Sequence, residues 1–359
     1  FSHLRHAMPK IWNPKNTQTQ KDTGIRIKIF SIIVVCVLLC ALSIYALTLG
    51  NYEIANERVF ELLFSINSPQ DTTKESYVIH SIRLPRILGA IVIGAALALS
   101  GALYQGVIGN PLVSPGILGV LNGASFGAAL GMVLGFSMVG IELLCFVFGF
   151  LAMCVAMLLS FVFDGYKSVL MLILGGVISS AFFGAGVSVL KLLADPYNTL
   201  PDIVYWLMGS LAHIHIKQTA LIILSVVFVL SFICALVFSR HIDIINLDDE
   251  SASALGVNVR RVRLFFIVIA TLLASCSVAL GGLIGWIGLV VPHIARFLIG
   301  ASHRFMLIFC ALFGGLFLLF CDTLARSVSS TEIPIGILSA LFGIPIFALV
   351  LFITKKRLV

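Results

Sequence analysis

Charge is what this sequence has least of. Only 11% of its 359 residues are Asp, Glu, Lys or Arg, against roughly 25% in a soluble globular chain. From Ile87 to Ile141 there is none at all. With 60% hydrophobic residues, arranged in blocks of about 17–25, the length that crosses roughly 30 Å of hydrocarbon, a single soluble core with one anchor is excluded. Loop cysteines are also missing. The eight Cys (36, 40, 145, 154, 234, 276, 310 and 321) lie in apolar blocks without a CxxC pair, which excludes a disulfide framework or zinc ribbon and leaves them as small apolar residues. There is no GxxxxGK[ST], so the chain binds no ATP through a P-loop of its own. No HExxH, Ser–His or Ser–Lys arrangement supports an intramembrane hydrolase. Ion-coupled transporters keep ionisable groups deep in their spans, and here only Glu142, Lys191 and Asp322 stand near span ends. A transporter built this way takes its energy from outside the chain.

What is present is an all-α polytopic membrane protein. Ten spans are expected, at 29–50, 87–107, 115–135, 139–163, 168–190, 218–239, 264–281, 284–300, 305–321 and 333–354. Asn110-Pro111 and Ser114-Pro115-Gly116 break the long neutral run with turn chemistry, and the glycines of 281–300 blur the division there. Residues 1–28 form a polar, basic cytoplasmic segment, and 29–357 a single transmembrane domain. The opening Phe is what a truncated terminus would leave, and the block from Ile29 is too long for a signal-peptide core. With both termini inside, about sixteen Lys and Arg fall on the cytoplasmic side and about seven outside, the bias that short loops follow.

Arg83 and Arg86, in "SIRLPRILGAI", then face outward against that trend. Snorkelling to headgroups is one reading. The other is a fixed positive site for an acidic partner, since Arg forks meet carboxylates with geometric specificity. The largest inward loop, about 239–263, carries Asp248, Asp249 and Glu250, then "SASALG" ending at Gly256, then Val257 and Arg260. Acids at a start and Gly as a stop predict a short capped helix, either a docking element for a cytoplasmic partner or a solvated connector. A shift of 177 residues aligns Arg83 with Arg260, Ser100 with Ser277, Leu112 with Leu289, Val113 with Val290 and Pro115 with Pro292. Spans 2–5 and 7–10 would then be an inverted repeat, a transporter architecture. His213 and His215 are too few for a metal site. The Gly-rich spans fit close helix packing.

Read together, "RLPRILGAIVIGAALALSGALYQGVIGNPLVSPGILGVLNGASFGAAL", "SASALGVNV", "GLIGWIGLVVPHIARFLIGASHR" and "EIPIGILSALFGIPIFALVL" resemble, in order, the blocks of FecCD-type permeases of ABC importers, over roughly residues 30–357. The resemblance implies ten spans and a second permease chain, identical or similar, in the bacterial inner membrane. It also implies two cytoplasmic ATPase subunits that hold ATP and Mg, and a periplasmic or lipid-anchored binding protein. No catalytic residue, metal, bound cofactor or nucleic acid is expected on this chain. By the same resemblance Arg83, Arg86 and Arg326 would dock the binding protein. Asp248, Asp249, Glu250, Ala254, Leu255, Gly256, Val257 and Arg260 would couple to the ATPase. Gly165, Tyr166, Lys167 and Ser168 would form the inner gate, and Met171, Leu174, Ser179 and Phe182 of the fifth span would line the pathway. Ferric siderophore is the expected cargo, with haem, cobalamin and oxyanions such as molybdate as alternatives, and an ion-coupled secondary transporter as the competing class.

Overall fold

In hydrocarbon every backbone N–H and C=O needs an internal partner, and long apolar blocks meet that need as helices. The computed structural model describes residues 14–50, 52–64, 74–165, 169–214, 218–247, 249–300, 302–328 and 331–358, and among them there is no strand. In chain order the helices are α1 (Pro14–Thr48), α2 (Asn56–Phe64), α3 (Lys74–Tyr77), α4 (Leu84–Ile108), α5 (Val120–Val133), α6 (Met138–Asp164), α7 (Val169–Leu193) and α8 (Thr199–Leu207). They continue with α9 (Gln218–Val237), α10 (Ser239–Ile245), α11 (Asp249–Ala254), α12 (Val259–Gly281), α13 (Ile287–Ile299), α14 (His303–Ser327) and α15 (Ile335–Leu358). Eight helical stretches are long and apolar enough to cross a membrane, and α5 and α13 are shorter apolar helices.

Those two short helices occupy the expected third and eighth spans. At about 1.5 Å per residue, the 14 residues of α5 and 13 of α13 fall well short of the hydrocarbon thickness. The turns of Pro115–Gly119 and the non-helical 282–286 precede them. The second span is longer than expected. Lys74–Ile108 is one helical run, and Val78–Arg83 within it is π-helical, with Leu84 N–H donating to Ile79 O. Pro85 has no N–H for the carbonyl of Ser81, and the wider turn absorbs that gap.

Packing pairs α4–α7 with α12–α15. Each set runs long, short, long, long. The first helix of each set also leaves its own group for the other: α4 packs on α13 and α14, α12 packs on α5 and α6, and α4 and α12 pack on each other. The fixed 177-residue shift does not survive, however. Helix starts pair as Leu84 with Val259, Val120 with Ile287, Met138 with His303 and Val169 with Ile335, so the offset falls from 175 to 167, 165 and 166. The linker after α4 is longer than that after α12, and the 177 shift therefore sets turn residues 112–115 against helical residues 289–292.

Glycine permits the central contacts. A Cβ on Gly101 would lie 1.8 Å from the carbonyl oxygen of Gly288, and one on Gly94 would lie 2.3 Å from that of Gly314. Backbones meeting this closely replace the hydrophobic drive that lipid cannot supply. Gly101→Val should therefore lower the melting temperature of the purified protein markedly, at or above the ~1–3 kcal/mol usual for overpacking. Gly184→Ala, where the nearest atom is 3.9 Å away, should leave it within a degree or two.

Candidate functional site

Three places bring chemistry together: the two ends of α4, and a cavity beside α13 and α15. At the first end Arg83, Arg86 and Arg326 do converge, but they are 3%, 6% and 8% exposed. Arg86 Nε donates to Asp322 Oδ1 at 2.9 Å, and its two Nη groups form a fork on Glu332 at 2.8 and 2.9 Å. Arg326 Nε stands 3.2 Å from Asp322 Oδ2. The remaining donors go to backbone. Arg83 donates to the carbonyls of Leu47 and Tyr52, and Arg326 to those of Ala46 and Leu49. These are carbonyls at and just past the C-terminal end of α1, groups that no turn of the helix itself can satisfy. In this structure the three guanidinium groups are thus taken up within the fold rather than held out toward an acidic partner. Buried guanidinium groups need carboxylates and carbonyls, and this chain supplies both.

Glu332 lies in the loop before α15. Burial alone pushes its carboxyl up. The Arg86 fork, with Arg326 and His213 nearby, overcomes that and holds it below its ordinary value.

At the other end of α4, Asn246 Nδ2 donates to the Gly106 carbonyl and Arg263 Nε to that of Val107, at 2.7 and 3.0 Å. These too are last-turn carbonyls of a helix. His303, the first residue of α14, pairs through Nδ1 with Asp243 of α10, and its N–H donates to the same carboxylate oxygen. Segment α10–α11 is therefore tied to both α4 and α14. Beyond it, α11 closes as the residue types predict. Gly256 takes φ +78°, its N–H donates to Ser253 O, and Val257 N–H donates to Ala252 O. This is a Schellman turn. It buries Ala252 and Val257 and leaves Ala254, Leu255 and Gly256 exposed, Leu255 at 61%. Val257, expected as a contact residue, is instead part of the turn's apolar lock. Arg260 is exposed. Asp248 lies outside the described residues, as do the side chains of Asp249 and Glu250.

Of the expected inner gate, only Gly165 is described. It ends α6 with φ +59° and lines a cavity of about 500 Å³ with Ser253, Asn258, Arg260 and Arg263. Gly165 and the α11–α12 segment thus face each other across this cavity, while Tyr166, Lys167, Ser168 and His215 lie outside the described residues.

The third place is a cavity of about 850 Å³ walled by Leu121, Met208, Leu283, Trp286, Ile337 and Ile344, with Asn122 as one of its few polar groups. Asn122 Nδ2 is held by Ser180 Oγ at 2.6 Å. Turns frame the cavity: Ser210 N–H donates to Gly281 O, and the first N–H groups of α15 donate to Gly209 and Met208. None of the expected pathway residues lines it. Leu174 and Phe182 stand on the exposed face of α7 and Met171 is half-buried. Ser179 is fully buried, its hydroxyl donating to Ala152 O at 2.8 Å, so its role as a lining residue is withdrawn. Sequence reasoning missed Asn246, Asp243, His303 and Trp286. A polar residue in the inward loop and a His opening a span were the visible signals for the first three, and Trp286 carried none.

Comparison with known proteins follows the same outline. The FecCD transport family profile matches residues 36–353. The molybdate import system permease protein MolB of Haemophilus influenzae is 39% identical over 320 residues, covering 89% of this chain and 94% of that protein. The hemin transport system permease protein HmuU of Yersinia pestis is 39% identical over 272 residues, 74% and 80% of the two chains. A solved ABC transporter assigned to the metal-chelate type, in an inward-facing conformation, superposes with a TM-score of 0.80 at 39% identity, covering 89% of this chain and 98% of that one.

Two tests bear on the buried cluster. Asp322→Asn leaves Arg86 and Arg326 facing a neutral amide and should cost about 3–5 kcal/mol, the range for breaking a buried pair, read as a lowered melting temperature. A carboxyl depressed in the folded state stabilises above its unfolded pKa, about 4.3 for Glu, and loses that contribution as pH falls through the folded value. Melting temperatures of the wild type and Glu332→Gln should therefore differ at pH 7, and the difference should shrink as pH falls below about 4.3.

Proposed function

Because the chain belongs to the FecCD transport family, as an ABC importer permease spanning the inner membrane many times, we propose a specific division of labour among its parts. ABC importer permeases work with an ATPase, a substrate-binding protein and a second permease chain. In this reading both termini lie in the cytoplasm, two ATPase subunits bind below a pair of permeases, and ATP and Mg stay with the ATPase. The observation that carries it is the α10–α12 segment. Its tip, Ala254-Leu255-Gly256, is exposed, while its root is hydrogen-bonded to the last carbonyls of α4 and to the start of α14. An ATPase gripping the tip pulls on two central helices at once. The partner's closure then switches which side of the cavity is open.

For the cargo, the cavity is the guide. About 850 Å³ of largely apolar space matches the scale and character of sites for drug-sized organic ligands. This supports a metal chelate with an organic shell, a ferric siderophore or haem, as the cargo. Cobalamin belongs to the same chemical class. Molybdate is the second reading, favoured by the similarity to the molybdate permease over nearly the whole chain.

Leu255→Asp replaces an exposed apolar tip with a charge and touches nothing inside the fold. Purified with its partner subunits, this variant should keep the wild-type melting temperature and lose most of the bound ATPase and at least about ten-fold in uptake, one buried anchor's worth. Full ATPase retention and full uptake would remove the coupling assignment.

A further inference from the structure

The cavity wall contains a residue in the wrong conformation for its type. Trp286 has φ +69° and is the sole non-glycine at positive φ among the described residues. Its ψ is −36°, and Ile287 N–H donates across it to Gly285 O at 2.8 Å. That closes a γ-turn of the rare and strained hand, in a region that a bulky side chain avoids. The internal repeat makes the oddity sharper. Trp286 immediately precedes α13 as Gly119 precedes α5, and Gly119 also has positive φ, +85°. At Gly119 a Cβ would press on Ser179 Oγ at 3.0 Å, so glycine suits both the backbone and the space. In the second repeat a tryptophan stands where the backbone favours glycine. Its side chain opens onto the cavity and is 37% exposed, and its Cβ rests near Gly343 of α15, where an added Cβ would come within 3.1 Å.

Strain of this kind persists where the surrounding structure over-determines it and the side chain is needed. The Ile335 and Gly336 N–H groups bonded to Gly209 and Met208, and the Ser339 hydroxyl donating to Gly285 O at 3.4 Å, fix the frame around it. We propose that Trp286 is a cargo-contacting residue. Its indole forms a flat apolar face in the passage and favours cargo that presents an aromatic or macrocyclic surface, against which it stacks. A small hydrated oxyanion offers no such face. This rests on the cavity being the cargo path, as proposed above.

The test uses the full complex with its own ATPase and binding protein, reconstituted in proteoliposomes and offered hemin, a ferric trihydroxamate or molybdate. Trp286→Gly relieves the backbone, so its melting temperature should equal or exceed the wild type. Its uptake of hemin or hydroxamate should fall about two- to ten-fold, the range of one lost aromatic contact. Trp286→Phe should keep more than half. Undiminished uptake in Trp286→Gly overturns the proposal. So does a melting temperature or a permease pairing that falls with uptake, because the indole would then be packing rather than contacting cargo. A wild type that carries molybdate and neither chelate overturns the cargo class. A wild type that carries none of the three overturns the cargo reading on which the proposal rests, and in that case a lowered melting temperature in Trp286→Gly separately ends the strain argument.

Discussion

A charge inside a bilayer has to be answered by its own protein, and the cluster around Arg86 is where this fold answers it. Asp322 is fully buried in α14, and Arg86 and Arg326 reach it from two helices. Glu332 closes the cluster from the loop that leads into α15. Desolvating one of these groups alone would be prohibitive, whereas together they balance one another's charge. That requirement sets α4 against α14 at this end and places the start of α15. The same buried Asp322 stood out in the sequence as one of the few ionisable groups near a span. Locked between two guanidinium groups, it serves the architecture rather than an ion path.

From that anchored end α4 runs as the most enclosed long helix of the protein. Glycines bring it into backbone contact with α13 and α14 along its length, and its final carbonyls are held by Asn246 and Arg263. Both ends are therefore tied by side chains from elsewhere in the chain, while the middle has little slack. A helix held this way moves as a body with its neighbours or not at all. Such rigidity is what the proposed coupling through α11 relies on.

Much of this was legible beforehand, and the failures have separate physical causes. Apolar length identified the spans, and Gly256 announced the end of α11 because only the left-handed cap calls for glycine there. The glycines of α4 announced close packing. Hydropathy could not distinguish α5 from a full span, because turn residues lined by protein are as apolar as helix residues. The repeat was real but not of fixed period, since its linkers differ in length. For Arg83, Arg86 and Arg326, expected to dock an acidic partner, the partners within the fold were not legible, because Asp322, Glu332 and the carbonyls of residues 46–52 come from elements distant in sequence. Ser179 was named from the resemblance alone, which does not say which face of α7 is open. Trp286 was invisible for a deeper reason: a dihedral angle leaves no mark in a string of letters.

The capping of α1 has a consequence for how the chain is made. Its last carbonyls at Ala46, Leu47 and Leu49 are satisfied by Arg83 and Arg326, residues synthesised later, the second of them 280 residues after Ala46. α1 thus stays chemically unfinished until α14 has been made. Completion of α14 delivers the missing donor, so α1 is finished by an arginine from a helix that follows it by most of the fold.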